Sequence, residues 1–308
     1  MLNVLLTGAT GFVGGHTLEC LQKRKYNVTV LGRKECDDSS LGSPAEYFKG
    51  IDVVIHCAAC TNIIKKDLTS DDVLNEFRRV NTYWTLDLAK KSAAAGVKRF
   101  IFISTIKVNG ESTKNKKAFT LDDNPVPVDS YGRSKYEAEQ GLFVISQKTG
   151  MEVVIVRPPL VYGSRVKGNF SSIINAVRKS IPLPLGSITE NRRSFLALDN
   201  LVDFISLCVD YKKSPKAANQ VFFLSDGEDI STAELFKRIA TAYNKKSFLF
   251  PFPVLFLSLS ARVLGGESMV NRLIGSLQVE NSKARKLLGW KPIITMDEQL
   301  RKMAEVGS

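Results

Sequence analysis

Short unbroken runs of apolar residues alternate with longer stretches of mixed character along the first half of the chain. The runs Asn3–Leu6, Asn27–Leu31, Asp52–Cys57, Phe100–Ser104 and Glu152–Arg157 read as strands without polar alternation. Such strands bury both faces, which is the pattern of a parallel sheet covered by helices on either side. Helix-length stretches, Gly11–Lys23, Val73–Ala95 and Tyr131–Thr149, lie between several of them. The order predicts an α/β fold with a doubly wound parallel sheet, whose post-strand loops gather along one edge where ligands bind. After about residue 160 the pattern loosens, and Pro182-Leu183-Pro184-Leu185-Gly186 and Gly265-Gly266 separate shorter elements. This divides the chain into a sheet domain over 1–160 and a smaller α/β lobe over 161–308, from which the chain is free to cross back to the sheet.

Composition narrows the class. With 308 residues, 44% hydrophobic and 24% charged, the chain has enough apolar material for a sizeable core, and disorder or a coiled coil is excluded as the main architecture. Met1–Leu6 has no basic region before its apolar run and reads as a strand, not a signal peptide. Five scattered cysteines fit reduced thiols and a cytoplasmic protein. The run Phe248–Leu259, broken by Pro251 and Pro253, falls well short of the roughly 20 apolar residues of a bilayer span, so no transmembrane segment is expected. Packing in the C-terminal part is its leading role; contact with a membrane or partner is the sharper alternative. The net charge of +12 is spread thinly, without a long basic run interleaved with aromatics. That argues against nucleic acid and for an anionic small ligand held by a few arginines.

The first strand leads into Thr7-Gly8-Ala9-Thr10-Gly11-Phe12-Val13-Gly14, which opens the first helix. Gly8 permits a tight turn, Gly11 close approach of a pyrophosphate, and Gly14 close packing of helix on sheet. The helix N-terminus would offer its N–H groups to the phosphates, so a Rossmann dinucleotide site is expected here. At the end of the second strand, where an acidic residue would select NAD, stands Leu31-Gly32-Arg33-Lys34. Arg33 is placed to meet a 2′-phosphate, which leans the choice between NADP(H) and NAD(H) toward the former.

Tyr131-Gly132-Arg133-Ser134-Lys135 sets a phenol and an ammonium four residues apart on one helical face. A neighbouring ammonium and a positively charged nicotinamide would favour the phenolate and let it act as a base near neutral pH. Upstream, Ser104 and Thr105 close a strand and offer a hydroxyl to the substrate oxygen. Cys57 and Cys60 form a C-x-x-C beside His56 with no second ligand pair, and His16 reads as an ordinary helix residue, so neither a metal site nor a Ser-His-Asp hydrolase is expected.

Together these motifs resemble the extended short-chain dehydrogenase/reductases of the nucleotide-sugar epimerase/dehydratase family. The resemblance spans essentially the whole chain and includes Ala58-Ala59, Val80-Asn81-Thr82, Ser104–Gly110, Tyr131–Lys135 and Arg157-Pro158-Pro159-Leu160-Val161-Tyr162-Gly163. It implies Thr105 as hydroxyl partner, Tyr131 as acid/base and Lys135 as the residue that orients the nicotinamide ribose. Gly8, Thr10, Gly11, Phe12, Val13, Gly14, Arg33, Ala58, Ala59, Ser104 and Pro158 would line the cofactor. Arg193, in Arg192–Leu201, resembles the arginine that grips the diphosphate of a UDP-sugar. Asn169 resembles a nucleotide-side asparagine, and Arg272 is a looser second phosphate contact. A homodimer is compatible with the same resemblance.

Two departures stand out. Lys34–Gly50 is short, and the usual third strand with its adenine-contacting acid is not recognisable. Where 4,6-dehydratases carry Asp-Glu after the threonine, this chain has Ile106-Lys107, which argues against dehydration. The run Ser104–Gly110, with Asn109 in place of the tyrosine usual in UDP-galactose 4-epimerases, most resembles the branch acting on UDP-N-acetyl-sugars for surface polysaccharides, to which the quinovosamine-type dehydrogenase/reductases belong. Arg33 favours exchangeable NADP(H) and thus a 4-ketoreductase. A UDP-sugar 4-epimerase with tightly held NAD is the alternative, and a non-catalytic dinucleotide sensor the second alternative.

Overall fold

The computed structural model describes residues 1–32, 45–63, 69–113, 117–263 and 267–306. Six strands form one all-parallel sheet: β1 (Asn3–Thr7), β2 (Asn27–Leu31), β3 (Val53–His56), β4 (Arg99–Ile103), β5 (Glu152–Arg157) and β8 (Gln220–Phe223). Their spatial order is β2-β1-β3-β4-β5-β8. The doubly wound sheet expected from the unbroken apolar runs is what forms.

Alternate residues of each strand separate into two cores, as the twofold period of a strand requires. Val4, Leu6, Val53, Ile55, Ile101 and Val154 pack with Leu21 and with Leu201, Phe204 and Ile205 on one face. Leu5, Val54, Phe100, Phe102, Val153 and Ile155 pack with Leu88, Ala138 and Leu142 on the other. The helices Phe12–Lys23 and Leu198–Val209 thus cover the first face, while Trp84–Ala94 and Ser130–Thr149 cover the second.

A three-stranded sheet joins β6 (Leu160–Tyr162) in parallel and β9 (Asp229–Ile230) antiparallel to β7 (Arg193–Ala197). Its core gathers Tyr162, Phe170, Phe195 and Phe236 with Met296 and Leu300. The chain passes between the two sheets: β8, encoded after β6 and β7, adds to the large sheet beside β5. The single helix expected over Val73–Ala95 is instead Ser70–Arg78 and Trp84–Ala94 joined by a π-turn, Arg79–Tyr83. Within that turn the Asn81 amide donates to the Cys60 carbonyl at 2.9 Å and to Ser134 Oγ at 3.1 Å, and accepts from the Cys60 N–H at 2.8 Å. Thr82 donates to the Ser134 carbonyl at 2.8 Å.

Candidate active site

At Gly8 and Gly14 the glycine turn leaves no room for a side chain. Gly8 has φ +73°, and a Cβ there would fall 2.6 Å from the Ala58 backbone nitrogen. A Cβ on Gly14 would fall 2.1 Å from the Gly8 carbonyl oxygen, so the helix Phe12–Lys23 sits directly against the turn. No side chain caps that helix at Gly11, and its first turn carries no acid. Its terminal N–H groups and positive dipole end are therefore available to an anion such as a pyrophosphate. Thr10 and Gly11 are exposed at this edge; Phe12, Val13, Ala58 and Ala59 are half-buried around it. The cradle fits a dinucleotide. Arg33 and most of Lys34–Gly50 lie outside the described residues.

Behind the cradle, His56 is buried between two threonines. Its Nδ1 accepts from Thr7 at 2.7 Å, while its Nε2 donates to Thr85 at 2.8 Å, because the Thr85 hydroxyl already donates to the Asn81 carbonyl. Burial holds its pKa well below the ordinary imidazole value, so it is a neutral core residue. His16 bonds the Phe12 carbonyl at 3.0 Å within its own helix. Burial pushes the Cys57 thiol up to about 12, so it is protonated at neutral pH.

Tyr131 and Lys135 stand in the first turns of Ser130–Thr149. Asp129 caps this helix by accepting from the Gly132 N–H at 2.6 Å. The catalytic candidates are brought together by close packing: a Cβ on Gly132 would lie 2.8 Å from the Lys107 carbonyl oxygen, in the turn that follows Thr105. Thr105 opens that turn and accepts from the Lys107 N–H at 3.3 Å; the Ile106 N–H donates to the Pro158 carbonyl at 2.9 Å. Lys107 pairs with Asp129 at 2.5 Å and Glu111 at 2.7 Å, while Ile106 is buried in the core. Of these two positions, Ile106 serves packing and Lys107 ion pairing.

Lys135 is 1% exposed, donates to the Ile103 carbonyl at 2.7 Å and sits 4.2 Å above the Phe102 ring. Burial lowers its pKa to about 7. The half-buried Tyr131 phenol is raised above its ordinary value, chiefly by desolvation and then by the Asp129 carboxylate. None of the chain's own groups that shift it lowers it, so they favour the protonated phenol. Ser104 differs from expectation. It is buried and gives its hydroxyl to Glu139, which forms a buried pair with Arg157. Arg157 Nη1 in turn donates to Asn109 Oδ1 at 2.9 Å. Pattern reading assigned Glu139 no role; it is 18 residues from Arg157, and no motif links them.

In the second lobe, the structure brings Arg193 and Arg272 together. Arg193 Nη1 donates to the carbonyls of Arg272 at 2.8 Å and Gly275 at 3.0 Å. No carboxylate forms an ion pair with Arg193 among the described residues. Desolvation, then the neighbouring Arg272, lowers its pKa to about 10. A guanidinium held by carbonyls beside a second cation, with Glu111 near but not in an ion pair with it, is suited to an anion. Asn169 is exposed at the start of the helix Asn169–Arg178.

With this geometry in place, comparison with known proteins is decisive for the family. The family model described as NAD dependent epimerase/dehydratase matches residues 4–221. The chain belongs to the NAD dependent epimerase/dehydratase family. It is 44% identical to a UDP-glucose 4-epimerase of Vibrio cholerae, over 98% of this chain and 94% of that protein. It is 28% identical to an N-acetyl-α-D-glucosaminyl-diphospho-ditrans,octacis-undecaprenol 4-epimerase of Escherichia coli O157:H7, over 82% of this chain and 76% of that one. The UDP-glucuronic acid 4-epimerase of Bacillus cereus, solved with NAD, shares the fold at a TM-score of 0.76 and 21% identity, covering 99% and 96% of the two chains. This family member is an NAD(P)-dependent enzyme.

Proposed function

We propose that this family member is a UDP-hexose 4-epimerase acting in the cytoplasm, not the 4-ketoreductase to which Arg33 leaned. The observation that carries this reading is 44% identity, over nearly the full length of both chains, to a UDP-glucose 4-epimerase. The lean toward exchangeable NADP(H) rested on a residue outside the described structure, and nothing in the described site opposes NAD.

The Gly8–Gly14 turn and the helix behind it would hold the pyrophosphate of NAD, with Ala58, Ala59 and Pro158 along the same edge and Lys135 toward the nicotinamide ribose. Bound NAD supplies the hydride acceptor and donor. The chain's own task is the proton. Tyr131 takes the proton of the sugar 4-hydroxyl and later returns it, while Thr105 hydrogen-bonds the same oxygen. Both faces of carbon 4 must meet the same catalytic groups, so the sugar has to turn while its nucleotide stays fixed. Arg193 and Arg272 would hold the diphosphate during that turn, with Asn169 on the nucleotide side.

The test is to release and identify the dinucleotide carried by the purified protein, then to assay UDP-glucose and UDP-N-acetylglucosamine without added cofactor. An epimerase retains NAD and interconverts the 4-epimers with no net change in nicotinamide absorbance. Stoichiometric consumption of NADPH with a 4-keto sugar would restore the reductase.

A further inference from the structure

The helix Val254–Val263 has more apolar surface than the lobe covers. Val254 and Leu257 turn inward onto the core of the second lobe. Leu255, Phe256 and Leu259 point out, exposed at 68%, 58% and 47%, and Phe248 and Phe250 on the preceding strand-like segment are exposed at 49% and 44%. A surface helix of a soluble domain ordinarily presents polar residues on that side. An apolar outer face this concentrated marks an interaction surface. No described helix is long and apolar enough to cross a membrane, so the contact would be made in the plane of a surface.

The charge around the patch says which surface. Residues 166–189 and 235–266 contain no Asp or Glu, while between them they carry eight Lys and Arg, of which Arg238 is already paired with Glu228, Glu234 and Asp297. The fold brings the two segments side by side: the Leu183 N–H donates to the Phe248 carbonyl at 2.9 Å, and the Phe250 N–H to the Leu183 carbonyl at 3.1 Å. Ile181, 44% exposed, thereby extends the apolar patch. The exposed cations Arg178 and Lys179 precede it on one segment, and Lys245 and Lys246 precede Phe248 on the other. Arg178 lies 6.0 Å from the Tyr243 ring, which ties the two cationic stretches together.

We infer that this face docks on an anionic phospholipid membrane, with the aromatic and leucine side chains entering the headgroup layer and the flanking lysines and arginines paired with lipid phosphates. Apolar insertion and basic flanks reinforce each other, since each cation near an anionic surface adds to the binding. A protein partner would have to be both apolar at its centre and acid-rich at two edges; a second copy of this chain offers the same cations and would repel. The helix also packs on Glu267–Ile274, whose Arg272 carbonyl accepts from Arg193. Docking would therefore set the diphosphate-binding side of the enzyme one helix away from the membrane.

The test uses the full chain with vesicles of pure phosphatidylcholine and of phosphatidylglycerol. The protein should sediment with the anionic vesicles, only weakly with the neutral ones, and be released by salt. The double variant Leu255→Glu with Phe256→Glu should reduce binding roughly tenfold or more, and Lys245→Glu with Lys246→Glu should do the same selectively on anionic vesicles. Thermal unfolding midpoints matching the parent would show that both variants are folded. The inference is overturned if the parent fails to sediment with phosphatidylglycerol vesicles, or if the apolar variant sediments as the parent does. It is equally overturned if the parent is a dimer in solution that Leu255→Glu with Phe256→Glu dissociates, since the patch would then belong to a second copy.

Discussion

The ammonium of Lys135 donates to the carbonyl oxygen of Ile103 at 2.7 Å, joining the helix that carries Tyr131 to the end of the strand that leads to Thr105. The two halves of the candidate site are thereby tied together by a buried amine. That amine is held in place by one carbonyl and by the Phe102 ring at 4.2 Å, and burial still lowers its pKa to about 7.

This has a consequence for stability. In the unfolded chain Lys135 would titrate at the ordinary lysine value of about 10.4. Between about pH 7 and that value the unfolded state binds more protons than the folded one, so the folded state gains stability as pH rises through this window. Lys135→Met removes the titration. Urea midpoints of parent and variant should show the parent gaining on the variant from pH 7 to pH 10; a constant difference would mean that Lys135 keeps an unshifted charge.

Tyr131→Phe retains the ring that packs 6.0 Å from Phe77 and removes only the hydroxyl. Turnover should fall by about 100-fold or more, the usual scale for a lost general acid/base, while dinucleotide affinity stays the same. Titration calorimetry with NAD and a steady-state assay would separate the two. Turnover within a few-fold of the parent would remove the phenol from the mechanism.

Gly132 gives a subtler test. A methyl group at this position would stand 2.8 Å from the Lys107 carbonyl oxygen and 3.0 Å from Asp129 Oδ1, neither of which is the free end of a flexible chain. Gly132→Ala should push the start of the helix away from the Thr105 turn. A displacement on the order of 1 Å is enough to cost about 100-fold in rate. The expected signature is a fall in kcat with UDP affinity preserved; an unchanged kcat would show that the two elements can separate without harm.

Much of the nucleotide-binding half was legible because its signals are local. The strand Asn3–Thr7, the turn at Gly8 and the Tyr131/Lys135 spacing each lie within a few residues of sequence. The π-turn at Arg79–Tyr83 was not legible, because the cause is distant: Asn81 reaches Cys60 and Ser134, and the helical period carries no trace of either. The same holds for the Glu139–Arg157 pair and for the second sheet, whose strands β6 and β9 are only three and two residues long. Their pairings join segments dozens of residues apart.

Breaking the Glu139–Arg157 pair should be costly without touching the chemistry. Both side chains are buried, and Glu139 also accepts from Ser104 while Arg157 donates to Asn109. Glu139→Ala would leave the guanidinium in the core without its carboxylate, a change worth about 3–5 kcal/mol of stability. Thermal or urea unfolding would measure it. A loss below about 1 kcal/mol would indicate that water replaces the carboxylate, and that Arg157 does not depend on Glu139 for its position.

The arginine of the second lobe gives the test that locates the substrate. Arg193 is fixed by the Arg272 and Gly275 carbonyls through Nη1, so its remaining donors point to an unfilled role that a diphosphate would meet. Arg193→Ala should weaken UDP and the full UDP-sugar alike, by the roughly 1.5–3 kcal/mol of a charge-assisted contact, or tenfold and more in Kd. UDP lacks the sugar, so a shared loss places the contact on the nucleotide side. Dinucleotide binding should be unchanged. Turnover should fall as well, because binding energy remote from carbon 4 positions the reacting centre. Arg193→Lys should recover part of the affinity but little of the rate, since a single ammonium replaces the charge without the fork that fixes the diphosphate. If UDP binds Arg193→Ala as tightly as it binds the parent, the carbonyl contacts are the whole of this arginine's role and the diphosphate must be held elsewhere.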